Sequence, residues 1–136
     1  MIDYRVGNDL DLDVVLELYR ASTLGERRPV DDRERMRTML ERADIVVTAW
    51  DGPLLVGLAR SISDFAYCTY LSDLAVRVSY QRQGIGRELI RHTRAAADSR
   101  ASLILLSAPA ATDYYPRVGF ARHESAWWLR QGDELR

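Results

Sequence analysis

The spacing of apolar residues in the first third of the chain predicts one strand followed by two helices. Alternation over residues 2–6 is typical of a strand, and a helical period follows over residues 10–21. Asp31 and Glu34 resemble a capping box that opens a second helix. The inward positions of these two helices are Val14, Val15, Leu18, Tyr19, Met36, Met39 and Leu40.

The pattern in the middle of the chain predicts a meander of three strands. Short apolar runs cover residues 45–50 and 54–61, and Asp51-Gly52 between them is a hairpin turn signal. A third run, rich in aromatic and β-branched residues, covers residues 67–78.

The remaining pattern predicts alternating helices and strands. Residues 84–98 have helical spacing, and residues 103–106 are a continuous apolar run suited to a strand buried on both faces. Residues 110–117 are predicted to form a short helix that ends before Gly119, and residues 120–130 are predicted to supply the final strands. The order β-α-α-β-β-β-α-β-α-β predicts a mixed α/β (α+β) sheet.

Composition then limits size and function. The chain has 136 residues, 47% of them apolar, which fits a single domain over residues 1–136. Its 19 basic and 20 acidic residues nearly cancel, so nucleic acid is not expected as a partner. Every basic residue is Arg, which excludes a Walker lysine and a Schiff-base lysine.

Cysteine and histidine are scarce. Cys68, His92 and His123 cannot form a disulfide framework or a closed Cys/His zinc site, so no metal is expected. No apolar run approaches the roughly 18 to 20 residues of a membrane span, and the amino terminus lacks a signal pattern. We therefore expect a cytoplasmic protein without a membrane partner.

A glycine turn joins the third meander strand to the next helix and predicts an anion site. Gly84 and Gly86 let a bulky anion approach the backbone, and the free amides of a helix start attract phosphate. Arg82 and Arg87 flank this point. A dinucleotide-binding motif would need a third glycine where Leu89 stands, so that alternative is rejected.

Two spaced motifs resemble the GNAT superfamily of N-acetyltransferases. Gln81-x-x-Gly84-x-Gly86 is similar to its acetyl-coenzyme A pyrophosphate loop, and residues 111–120, with Tyr115 four positions before Gly119-Phe120, are similar to its carboxy-terminal signature. Three short stretches resemble small bacterial members and, more distantly, plant plastid arylalkylamine acetyltransferases: Gly57-Leu58-Ala59-Arg60, Ser63-Asp64 and Tyr80-Gln81-x-Gln83-Gly84. Ala108, where many members carry Asn, and Pro116, where an acidic residue is frequent, depart from the pattern.

The resemblance implies a fold and a cosubstrate. The fold would be a largely antiparallel sheet of about six to seven strands with about four helices and a splayed strand pair that holds acetyl-CoA. The pantetheine arm would pair with the backbone around residues 74–78, near an amide that stabilises the oxyanion. The implied acetyl-CoA contacts are Leu74, Ala75, Val76, Val78, Gln81, Arg82, Gln83, Gly84, Ile85, Gly86, Arg87 and Tyr115.

The resemblance also implies catalytic roles. Tyr115 would protonate the departing thiolate, whereas Tyr114 would be structural; alternatively both are core aromatic residues. Asp73 is the candidate base for the amine, or else a partner for an Arg or a capping group. Tyr80 and Asp64 are further candidate bases, and Cys68 is expected to be a buried structural thiol.

These observations predict an acetyl-CoA-dependent N-acetyltransferase acting on a primary amine of a small molecule by direct attack in a ternary complex. A CoA-binding regulatory module without turnover is the alternative, and transfer of a longer acyl chain is a third possibility. Trp127 and Trp128 either close the core or face a second subunit, so the sequence leaves open whether the protein forms a homodimer. Residues 22–29 are a candidate loop over the acceptor site.

Overall fold

The computed structural model describes all residues, 1–136, and divides the chain into two compact units. The first unit is Met1–Leu106 and the second is Ser107–Arg136.

The first unit contains a single sheet of five strands in the order β1-β2-β3-β4-β5. Strands β1 to β4 form an antiparallel meander, and β5 pairs with β4 in parallel. The strands are β1 Ile2–Val6, β2 Ile45–Asp51, β3 Leu54–Ser63, β4 Cys68–Val76 and β5 Ser102–Ile104.

Three α-helices pack on this sheet, and a fourth lies in the second unit. They are α1 Leu12–Ala21, α2 Arg33–Glu41, α3 Ile85–Ala96 and α4 Tyr114–Arg117. Short 3₁₀ turns occupy Thr23–Arg27, Val78–Tyr80 and Pro109–Ala111. The element order is the predicted one as far as α4, and the mixed α/β class is confirmed. No helix has the length and apolar character needed to cross a membrane.

Aspartate side chains cap the first two helices. Asp11 accepts a hydrogen bond from the amide of Asp13 at 2.9 Å, and Asp32 accepts one from the amide of Arg35 at 3.1 Å. The predicted cap of α2, Asp31, is therefore wrong by one residue. Asp31 instead pairs with Arg20 at the surface.

The main core lies between the sheet and helices α1 and α2. Val15, Leu18 and Tyr19 of α1 are buried as predicted, as are Met36 and Leu40 of α2. Val14 is 37% exposed, because Leu12 and Leu16 share the buried side of α1 instead. Helix α3 covers the opposite face of the sheet, where Ile85, Leu89 and Ile90 are buried.

Two expectations about the carboxy-terminal part of the sheet are wrong. The sheet has five strands rather than six or seven, because residues 120–130 form no strand. The charged and polar run at residues 122–125 interrupts the apolar alternation there. The strand expected to be buried on both faces, β5, is an edge strand of three residues whose Ile104 is 53% exposed.

Candidate functional site

A β-bulge in β4 separates the side chains of this strand into two groups. Arg60 and Ser61 are consecutive on β3 and face Asp73 and Leu71, so Ser72 is the extra residue. Cross-strand partners share a face of the sheet and consecutive residues do not. Leu71 therefore faces α3, whereas Asp73 faces α1 and α2.

Strand β4 separates from β5 soon after the two begin to pair. The parallel ladder ends at Tyr70 opposite Ile104, and β4 continues to Val76 along β3 alone. The amide of Arg77 bonds to Val56 of β3 at 2.8 Å, so alternation turns the backbone groups of Val76 and Leu74 toward the open edge. This edge can pair with an extended ligand, as the splayed pair of the predicted fold requires.

The amino terminus of α3 lies at the end of the open edge and carries unpaired amides. The first helical hydrogen bond runs from the amide of Glu88 to the carbonyl of Gly84 at 3.1 Å, and no side chain caps the helix. The amides of Ile85, Gly86 and Arg87 therefore have no acceptor within the helix. Gly84 has a φ of 82° and Arg82 a φ of 64°, which gives the turn the concave backbone typical of anion sites.

Two unpaired guanidinium groups accompany these amides. Arg82 and Arg87 are exposed and take part in no ion pair of the chain. Gln81 bonds through its side-chain Nε2 to the carbonyl of Val76 at 3.2 Å, and Gln83 is exposed. The turn thus offers amides and positive charge together, the donor set that a diphosphate needs.

Side chains outside the motif hold the turn in place. Arg77 forms a two-pronged ion pair with Glu17 of α1 and also bonds to the carbonyl of Leu55 at 2.9 Å. The Tyr80 hydroxyl donates to Asp51 at 2.6 Å, and this hydrogen bond raises the pKa of Tyr80. Tyr80 is therefore a tether from the turn to the β2–β3 hairpin, a role that the sequence did not reveal.

Gly57 of β3 allows α3 to lie close to the sheet. A Cβ at this position would lie 3.0 Å from Leu89 Cδ1 and 3.1 Å from Ile85 Cγ2. A larger residue would push away the first turns of α3, which carry the free amides. Gly57 thereby helps to fix the height of the anion site above the sheet.

Asp73 lies at the centre of a buried polar cluster. Its side chain has no exposed surface, and its Oδ2 accepts hydrogen bonds from the Tyr19 hydroxyl and from Arg60 Nε, both at 2.6 Å. Its Oδ1 accepts one from Arg28 Nε at 2.7 Å. These contacts match the alternative role weighed for Asp73, a partner for arginine.

The same cluster ties the segment at residues 22–29 to the bulge. Arg28 Nη2 donates to the carbonyl of Ser72 at 2.7 Å, and Arg60 Nη2 donates to the Ser72 hydroxyl at 3.0 Å. The segment contains the 3₁₀ turn Thr23–Arg27. Arg28 thus joins this turn to the irregular point of β4.

The pKa values in the cluster follow from this bonding. Burial alone would raise the pKa of the Asp73 carboxyl, but the hydrogen bond and charge of Arg60, helped by Tyr19 and Arg28, hold the pKa below its ordinary value. Burial and the Asp73 charge raise the pKa of Tyr19 well above its ordinary value. Asp73 is therefore a charged carboxylate with its oxygens occupied, and its role as a base stays a prediction.

In the second unit, the Tyr115 segment ends in a Schellman motif. The amide of Phe120 donates to the carbonyl of Tyr115 at 3.0 Å, and the amide of Gly119 donates to the carbonyl of Pro116 at 3.2 Å. Gly119 has a φ of 103°, and the Phe120 ring packs edge-on against Tyr115 at 5.4 Å between centroids. The Gly-Phe pair of the signature therefore closes the helix and packs against the tyrosine.

The Tyr115 side chain is partly enclosed. Burial, with a smaller contribution from Tyr114, raises the pKa of Tyr115, so its hydroxyl stays protonated at neutral pH. The Tyr114 ring packs edge-on against it at 5.2 Å. Pro116 does not prevent the helix, because it lies in the first turn, where amides have no helical acceptor.

The remaining polar candidates have other surroundings. Cys68 is exposed, so the expectation of a buried thiol is wrong; it lies on the same uncovered side of β4 as Tyr70. Asp64 accepts three backbone hydrogen bonds within the β3–β4 turn, which lower its pKa. No group of three His, Cys, Asp or Glu side chains is placed to hold a metal ion.

The sequence as a whole matches a known family. The family described as Acetyltransferase (GNAT) domain matches residues 21–128. The chain therefore belongs to the GNAT acetyltransferase family, and the resemblance given by its two motifs is confirmed. No curated protein matches the sequence.

Solved structures share the fold over nearly the whole chain. A GNAT family acetyltransferase from Streptococcus pneumoniae is 26% identical, with 96% of this chain and 99% of that chain covered and a TM-score of 0.76. An aminoglycoside N-acetyltransferase in complex with CoA is 20% identical, with 96% and 94% covered and a TM-score of 0.70. An aminoglycoside acetyltransferase from an uncultured soil metagenomic sample, in complex with sisomicin, is 21% identical, with 99% and 97% covered and a TM-score of 0.72.

Proposed function

We propose that the protein is an N-acetyltransferase that moves the acetyl group of acetyl-CoA to a primary amine of a small molecule. The observation that carries the proposal is the uncapped start of α3, whose free amides lie between Arg82 and Arg87 at the end of the open edge of β4. These groups suit a diphosphate followed by an extended, amide-containing arm. The open backbone of Leu74 and the amide of Val76 would bind that arm, since the Val76 carbonyl already accepts a hydrogen bond from Gln81.

The acetyl donor supplies an activated thioester, and the transfer is direct, within a ternary complex. A backbone amide of β4 that is oriented toward the open edge, such as that of Val76, would donate to the thioester carbonyl oxygen. Tyr115 would give its proton to the departing sulfur, and its raised pKa keeps that proton in place at neutral pH. Cys68 has no role in this scheme, because no acyl group is transferred to the protein.

The attacking amine must lose a proton before it can act as a nucleophile. The surroundings of Asp73 favour a structural role for this residue, because both oxygens already accept hydrogen bonds from arginine. A water path would then carry the proton to solvent. We propose this route ahead of direct proton transfer to Asp73.

A CoA-binding module without turnover is the second candidate function. It is favoured by Ala108, which replaces the amide side chain common at this position in the family, and by the occupied state of Asp73. Such a module would keep the anion turn and bind acetyl-CoA with no acceptor-dependent reaction. The two candidates therefore differ in turnover and not in binding.

One experiment separates them. Purified protein is titrated with acetyl-CoA in a calorimeter, and thiol release is then followed with a panel of primary amines. Binding with amine-dependent thiol release supports the transferase, and binding without it supports the module. Absence of binding to folded protein would contradict both.

A homodimer and a cytoplasmic location belong to the same proposal. Trp127 and Trp128 are 94% and 68% exposed, a degree of exposure that is unusual for adjacent tryptophans and compatible with a subunit contact. Sedimentation of the wild-type protein and of Trp127→Ser gives the test. A dimer that persists unchanged in the variant would show that Trp127 does not contribute to the subunit contact.

A further inference from the structure

An apolar row crosses three strands at the point where the sheet splits. Ile62 of β3 lies opposite Tyr70 of β4, and Tyr70 lies opposite Ile104 of β5. Their exposed fractions are 43%, 38% and 53%. Because cross-strand partners share a face, the three side chains form one continuous surface.

The row lies on the face of the sheet opposite α3. Thr69 and Leu103 precede Tyr70 and Ile104 by one residue, and both line a cavity of about 220 Å³ together with Arg94 and Ala97 at the end of α3. Alternation along each strand therefore places Tyr70 and Ile104 on the other face. The start of α3 would bind the diphosphate, so the row lies on the side left for the acceptor.

The row also begins where the open edge begins. Tyr70 and Ile104 form the last pair of the β4–β5 ladder, and the backbone that would hold the acetyl donor follows directly. A molecule that packs on the row can therefore reach into the split between β4 and β5. Exposed apolar side chains in such a position favour a ligand with an apolar body.

The charged groups at the inner end of the row do not favour a polycation. Two residues before Ile62 on β3, Arg60 joins Arg28 and Asp73 in a cluster of two guanidinium groups and one carboxylate, with a formal charge of +1. At the outer end, the carboxylates of Asp44 and Asp64 accept backbone hydrogen bonds from Ser63 and from the β3–β4 turn. Two arginines and three aspartates at the two ends of the row therefore nearly balance, with a formal charge of −1, so the row has no strongly acidic surroundings.

We infer that the acceptor is a primary monoamine with an apolar aliphatic or aromatic skeleton, which packs on Ile62, Tyr70 and Ile104 and directs its amino group into the split. The inference rests on the proposed function and narrows its substrate class. It also separates this chain from its structural neighbour in complex with sisomicin, since a polycationic amine offers little apolar surface to the row and finds no strongly acidic group of side chains around it.

The test compares acceptors and variants. Thiol release is measured with 2-phenylethylamine, hexylamine and sisomicin, for the wild type and for Tyr70→Thr combined with Ile104→Thr. Thr keeps the strand propensity of both positions. Val6→Thr, at an exposed position 60% accessible on the far edge strand, is the matched control.

We expect the two monoamines to give the higher kcat/KM in the wild type. The double variant should raise their KM about tenfold or more, with acetyl-CoA affinity unchanged, because the apolar contact area is lost. Val6→Thr should match the wild type. Equal or higher kcat/KM for sisomicin, or an unchanged KM in the double variant, would overturn the inference.

A binding measurement keeps this test separate from that of the proposed function. Calorimetry with 2-phenylethylamine in the presence of CoA reports acceptor binding without turnover. Suppose that the amine binds the wild type but not the double variant, and that no amine gives thiol release. This result would support packing of the amine on the row and contradict the proposed transferase activity. Absence of amine binding to the wild type would contradict the role of the row in acceptor binding.

Discussion

Asp73 lies directly opposite Arg60 across strands β4 and β3, and the two side chains share a buried hydrogen bond of 2.6 Å. The register of the sheet brings them together, and the bulge at Ser72 turns Asp73 to the side on which Arg60 lies. Arg28 and Tyr19 complete the arrangement. One carboxylate therefore links β3, β4, α1 and the segment after α1.

The replacement Asp73→Asn should strongly destabilise the protein. It leaves Arg60, whose side chain is 9% exposed, without its counter-charge, and breaking a buried pair in this way costs about 3–5 kcal/mol. Urea unfolding measures the loss. Asp31→Asn is the control, because that carboxylate is 97% exposed and should leave the midpoint unchanged. Equal midpoints for both variants would show that the cluster does not stabilise the fold.

The contribution of Asp73 to stability should depend on pH. Its pKa is lower in the folded protein, so the stabilisation is present above the unfolded pKa of about 3.9 and is lost as pH falls through the folded value. The difference in unfolding free energy between wild type and Asp73→Asn should therefore be constant from pH 7 to pH 5 and shrink below about pH 4. A difference that grows on acidification would contradict the assignment.

The replacement Gly86→Leu should weaken acetyl-CoA binding by at least about tenfold, because a side chain in the first turn of α3 blocks approach to the free amides. Leu favours the helix, so the fold should be retained. Calorimetry gives the affinity and circular dichroism checks the helix. Unchanged affinity would show that the diphosphate does not bind there.

The arginine beside the start of α3 should affect acetyl-CoA affinity more than an arginine elsewhere on the same helix. Arg87→Gln should lower acetyl-CoA affinity, and its effect should diminish at high salt because the contact is exposed. Arg94→Gln is a matched control, an exposed arginine without an ion pair in the last turn of the same helix. Equal effects of both variants would indicate a general charge effect rather than a contact.

The replacement Tyr115→Phe should lower kcat about 10²-fold or more and leave acetyl-CoA affinity nearly unchanged, since it removes a proton donor but not the ring. Tyr114→Phe, which alters the neighbouring ring in the same way, should have a much smaller effect on kcat. Rates come from thiol release at saturating acceptor. An unaltered kcat in Tyr115→Phe would mean that water protonates the thiolate.

Local sequence patterns predicted the elements that have strong local signals. The pattern predicts the meander, α1 and α3 correctly because their apolar periodicity agrees with their burial, and it predicts the glycine turn because a strand runs into it and a helix follows. Strand β5 differs from its prediction because it pairs along one edge over three residues, and no local pattern in the sequence indicates which strands lie at an edge.

The contacts around Asp73 could not be read from the sequence. Arg28 and Tyr19 are separated from it by 45 and 54 positions, and only the folded sheet and helix bring them to one point. The tethers of the turn, Glu17 to Arg77 and Asp51 to Tyr80, join residues that are 60 and 29 positions apart. Residue types revealed the anion turn, but tertiary structure determines what holds it rigid.

The single extra residue in β4, Ser72, is the one residue of this strand that could be lost without turning its neighbours to the other face of the sheet. Without it, Leu71 and Asp73 would still lie opposite Ser61 and Arg60, which are consecutive on β3, so Tyr70 and Thr69 would keep their present faces. Natural deletions of one residue within β4 should therefore fall at the bulge, where the regular ladder closes over the gap.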